Sequence, residues 1–138
     1  MLPKSHFIIG IIIGALLLPF VPWYYVIAII AANVLIDFDH YIVAVIRNKG
    51  DCRLDKALEY YDRYNAIKNK KTYNFTVFHT IEFHILVLLM SVISPVFFYV
   101  FIGMLIHSLT DLVFLIKHGN IIEREYWFWR WWKNDRKI

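Results

Sequence analysis

One stretch limits what this chain can fold into more than any other. Asn33-Val-Leu-Ile-Asp-Phe-Asp-His40 lies inside a run from Val21 to Ile46 that is otherwise apolar enough to cross a membrane. A charge at the centre of a bilayer costs about 2.5–3.5 kcal/mol on insertion scales. Two carboxylates and an imidazole in such a run therefore need compensating partners. Asp and His also bring oxygen and nitrogen ligands suited to a divalent metal. The run is about 26 residues, enough for roughly 39 Å of helix. Trp23, Tyr24 and Tyr25 mark one interface as an aromatic belt would, and the acidic motif comes near the other end.

The rest of the chain supports a membrane reading. Hydrophobic residues make up 59% of the 138, against about 45–50% in soluble domains, and the mean hydropathy is +0.51. With Cys52 as the only cysteine, no intrachain disulfide can form. The expected architecture is all-α: one domain over 1–138, an integral membrane four-helix bundle with spans at about 6–20, 22–46, 77–94 and 96–117. In the first span Gly10 and Gly14 have the small-xxx-small spacing of closely packed helices. It lacks a small-residue cleavage site and runs straight into the second, so a retained helix is expected in place of a signal peptide. Pro95 ends the third span and opens the fourth, and so short a turn makes the two antiparallel neighbours.

Residues 47–76 form the long polar stretch. Leu54, Ala57, Leu58, Tyr61, Tyr64 and Ala66 recur at three and four residues, the pattern of an amphipathic surface helix. The tail, 121–138, interleaves Trp127, Trp129, Trp131 and Trp132 with Arg124, Arg130 and Lys133, which predicts an interfacial anchor. Membrane lipids are the expected partners. No DNA-reading motif accompanies the basic residues, so nucleic acid is not expected, and no protein partner is indicated. The two short turns carry none of the 15 Lys and Arg residues. The positive-inside rule then puts both termini and the 47–76 loop in the cytoplasm, with the protein in the inner (cell) membrane.

This topology brings every histidine and every intramembrane acid to one layer, roughly 10–15 Å deep at helical rise. His6 starts the first helix, and Asp37, Asp39 and His40 lie near the end of the second. His79, Glu82 and His84 open the third, while His107, Asp111 and His118 occupy the same half of the fourth. Bundle-core metal sites are made this way. Asp37 and His40 share a helix face at i, i+3, as do His79 and Glu82, while His107 and Asp111 have the i, i+4 spacing that grips one ion. On a regular helix Asp39 points about 160° away from Asp37. The expected direct ligands are Asp37, His40, His79, His107 and Asp111, with His6, His84 and His118 as second-metal or mouth positions. Asp39 or Glu82 is the expected general base, or else a support behind the direct ligands. Histidine with carboxylate suits zinc first, and manganese or iron after it.

The ordered set resembles the inner-membrane-associated metal-dependent hydrolases described as LexA-binding. His6, Asp37-Phe-Asp39-His40, His79-Thr80 and Gly103-x3-His107-x3-Asp111 with Gly119 carry the likeness and span nearly the whole chain. Ile36 stands where that family has proline, and Asn74-Phe75 where it has a His-Arg pair. That family is in turn likened to helical zinc-dependent phospholipases C. The resemblance implies phosphoester hydrolysis, so the expected function is a membrane-bound metal-dependent hydrolase of a phosphoester or lipid headgroup at the cytoplasmic interface. A non-catalytic anchor and an ion-handling bundle are the rival expectations. The outer halves of the helices lack ionisable residues, which argues against an ion path.

Overall fold

The computed structural model describes residues 3–66, 76–117 and 126–135. His118, Gly119, the Asn74-Phe75 position and the first part of the expected tail lie outside the described residues. The described chain is all-helical: α1 (Pro3–Leu17), α2 (Trp23–Leu35), α3 (Phe38–Arg47), α4 (Leu54–Ala66), a 3₁₀ turn (Val77–His79), α5 (Ile81–Met90), α6 (Pro95–Lys117) and α7 (Phe128–Asp135). Helix α2 packs against α1 and α6, α5 against α6, and α3 against α4. Two segments are long and apolar enough to cross a membrane, Trp23–Arg47 at 25 residues and Pro95–Lys117 at 23.

The helical ladder of the expected second span is interrupted at Ile36 and Asp37. Between α2 and α3 the Asp37 N–H reaches back only to Val34 O at 3.4 Å, a three-residue step that frees the Asn33 carbonyl from the helical ladder. The expected third span over 77–94 is a composite. Thr80 is extended at φ −78°, ψ 150°, so the 3₁₀ turn and α5 are separate elements. Helix α5 is 10 residues long, about 15 Å, or half of a hydrocarbon core. His79 and Glu82 therefore do not share one helix face, as an unbroken span would have required.

Close helix approaches set the core. A Cβ on Gly103 would collide with the Ile29 carbonyl and lie 2.9 Å from Ala32 Cβ, so α6 crosses α2 there with no side chain between them. Gly10 and Gly14 likewise seat α1 on Asn33 and Ile30 of α2. The inside is unusually polar. His6, Asn33, Asp39, Thr76, His79, Thr80, His107 and Asp111 are buried, while Ile36, Val87 and Met104 head the small apolar cluster. The outside is apolar, with Phe20, Val92 and Ile93 83%, 89% and 81% exposed at the two short turns. Soluble domains show the reverse distribution.

Candidate metal centre

The interruption at Asp37 is the first step in building the centre. The released Asn33 carbonyl accepts the Nδ1–H of His107 at 2.7 Å. A carbonyl can only accept, so His107 carries a proton on Nδ1 and turns its Nε2 inward, where it is a lone pair in the neutral ring. Gly103 makes this contact reachable, because it lies one turn before His107 where α6 touches α2.

Two more histidines follow the same pattern. His79 Nδ1 lies 3.2 Å from Asp39 Oδ2, which leaves its Nε2 pointing the other way. His6 Nδ1 lies 3.2 Å from Thr110 Oγ1, whose own hydroxyl donates to His107 O at 2.8 Å. The threonine oxygen is thus the acceptor, and His6 Nε2 is turned to Asp111 Oδ1 at 3.1 Å. In metal sites the nitrogen away from the ion donates to a carboxylate or carbonyl in this manner, which fixes the tautomer and raises ligand basicity.

The inward atoms converge. His79 Nε2 and His107 Nε2 are 3.3 Å apart. Asp37 Oδ1 is 3.5 Å from the first and 3.3 Å from the second. Four-coordinate zinc with ligands at about 2.0–2.1 Å has ligand–ligand edges of about 3.3–3.4 Å. The triangle matches those edges, so these three atoms could hold a cation between them. Asp111 Oδ2 lies 3.6 Å from His107 Nε2, and His40 Nε2 lies 3.6 Å from Asp37 Oδ1. The ligand atoms form two trios, His6–His107–Asp111 and Asp37–His40–His79, joined across the Asp37, His79 and His107 contacts. His6 stacks on His107 with centroids 3.8 Å apart, which locks both rings.

The centre has a closed side and an open side. Side-chain exposure is 1% at His6 and His79 and 0% at His107, but 16% at Asp37 and 29% at His40. Helix α4 borders the open side through Tyr61, whose hydroxyl is 3.1 Å from His40 Nδ1. Burial, followed by the neighbouring Tyr60 and Asp39 charges, pushes the Tyr61 phenol well above its ordinary range, so it remains a neutral O–H. That hydroxyl can donate or accept toward His40.

Asp39 belongs to neither trio and serves the outer edge of His79. Both aspartates of the motif reach His79 from opposite edges of its ring, Asp37 at Nε2 and Asp39 at Nδ1. Asp39 Oδ2 also accepts the Phe78 N–H at 2.9 Å, while its Oδ1 is buried without a partner. Glu82 belongs to neither trio. Its carboxylate accepts the Phe128 N–H at 3.1 and 3.2 Å and so caps α7, in place of the expected general-base position. His84 is apart as well, between Thr80 O at 2.9 Å and Ser108 Oγ at 3.1 Å. Sequence reasoning missed Asn33, Thr110 and Tyr61 as supports. Asn33, an amide in an apolar run four residues before Asp37, could have been found by its cost in such a run; nothing local marks Thr110 or Tyr61.

No protein-family model, no curated protein and no solved structure matches this chain. The likeness to metal-dependent hydrolases therefore stands on the residues quoted for it alone.

Proposed function

We propose that the protein is a membrane-embedded metal-dependent hydrolase that cleaves a phosphoester, such as a lipid headgroup, at the cytoplasmic interface. One observation carries the reading. Three buried histidines have Nδ1 engaged by acceptors, and all three turn Nε2 toward the oxygens of Asp37 and Asp111. A divalent ion, zinc first and manganese or iron after it, would be held by Asp37, His79 and His107, with His40, His6 and Asp111 completing the set. When bound it supplies an activated water and a Lewis acid for the phosphoryl oxygen. Asp39 holds the His79 tautomer from the far edge of the ring and so supports the ligand without touching the reacting water. Access is from the side of Asp37 and His40.

The membrane setting rests on the polar inside, the apolar outside and the two long apolar segments. Four apolar segments with all cations at one end would place both termini and α4 in the cytoplasm. Helices α1 and α5 are too short to cross an unperturbed bilayer alone, and local thinning would accommodate them. A structural metal staple is the second reading, favoured by the near-complete burial of His6, His79 and His107.

Elemental analysis of protein purified without chelator, together with a phosphodiester and phosphomonoester panel, tests both. Metal with turnover supports the hydrolase, and metal without turnover supports the staple. Metal-free wild-type protein sinks the centre itself.

A further inference from the structure

Helices α2, α5 and α6 enclose a cavity of about 290 Å³ with an apolar lining that includes Ala28, Ala31, Leu35, Phe83 and Val100. Leu35 is 61% exposed, so the cavity opens on the apolar outer surface. The small side chains at Ala28 and Ala31 leave the space, whereas Val26 and Ile29 on the same helix are buried in its packing. Two further lining residues connect it to the metal centre. Ile36 immediately precedes Asp37, and Phe78 immediately precedes His79 and donates its N–H to Asp39. Cavity and centre thus share the interrupted helix and the 3₁₀ turn as a common partition.

We propose that this cavity holds one fatty-acyl chain of a phospholipid whose phosphoester is presented to the centre. The inference rests on the hydrolase reading and names its substrate class. Ligand pockets occupy about 300–1,000 Å³, so a space at the lower limit suits one chain and excludes a packed helix. Its lining offers no polar group to orient a headgroup, which must therefore lie outside it. Its mouth among outward apolar side chains admits a chain laterally from a bilayer.

The test uses the full chain reconstituted in phosphatidylglycerol vesicles doped with phosphatidylglycerol carrying a diazirine midway along one acyl chain. After irradiation, crosslinked residues are mapped by mass spectrometry and metal per chain is measured on the same samples. Labelling concentrates on 28–36, 78–83 and Val100, and Ala31→Phe lowers it about tenfold, a loss of about 1.4 kcal/mol in occupancy, with metal content unchanged. Ala28→Leu, a smaller filling at a half-buried position, gives the same direction if Ala31→Phe fails to fold. Labelling spread evenly over Leu16, Phe20 and Val92, or insensitive to both fillings, overturns the chain site. Cavity labelling in protein that binds no metal keeps the chain site and removes the hydrolase reading. Metal with even labelling does the reverse.

Discussion

Asp39 separates the support of the centre from the centre itself. Its Oδ2 accepts two buried donors, the Phe78 N–H at 2.9 Å and the His79 Nδ1–H at 3.2 Å. Asp39→Ala strands both, and a buried donor left without a partner costs about 1–3 kcal/mol, so the variant loses about 2–6 kcal/mol. Asp39→Asn is subtler. Its amide oxygen can take the place of Oδ2 and keep both bonds, so folding changes little. It removes the charge that makes His79 a stronger ligand, which lowers metal affinity about 10–100-fold, or about 1.4–2.7 kcal/mol. Thermal unfolding in detergent and calorimetric zinc titration measure the two effects separately. The reasoning fails if Asp39→Ala unfolds like wild type, or if Asp39→Asn binds zinc with unchanged affinity.

Other perturbations divide the ligand-type residues by role. His107→Ala loses bound metal, whereas His84→Ala, which cuts a link between Thr80 and Ser108, lowers the unfolding temperature while metal content stays at the wild-type level. Glu82→Gln retains an oxygen for the Phe128 N–H and should keep both fold and turnover in the phosphoester panel; a loss of turnover with the fold intact would restore Glu82 as a catalytic residue. Gly103→Val forces α6 off the Ile29 carbonyl and destabilises by about 1–3 kcal/mol or more. Because His107 then withdraws from Asn33, metal affinity falls with it, and a variant that keeps full stability refutes the close crossing.

The residues of the two trios were legible in the sequence because charge in an apolar run is expensive wherever it is buried. His6, Asp37, His40, His79, His107 and Asp111 stand out in or beside apolar runs. The all-helical character follows from the same runs, and the break before Pro95 from the ring that cannot continue a helix. The Gly10–Gly14 spacing was readable as a packing face for the same local reason.

What tertiary structure decided is which way those groups turn. Glu82 and His79 are three residues apart, yet the extended Thr80 sends one to cap α7 and the other into the centre. Asp37 and Asp39 meet the same imidazole because α2 ends at Leu35 and α3 starts at Phe38. Neither proline nor glycine occupies that junction, so no local signal announces it. The helix gives up a backbone bond to Asn33 O and gains one from His107, 74 residues away. That exchange is favourable only once α6 has settled on α2 at Gly103. The polar residues and their spacing are properties of the chain, and the interrupted helix that makes them a candidate site is a property of the packed molecule.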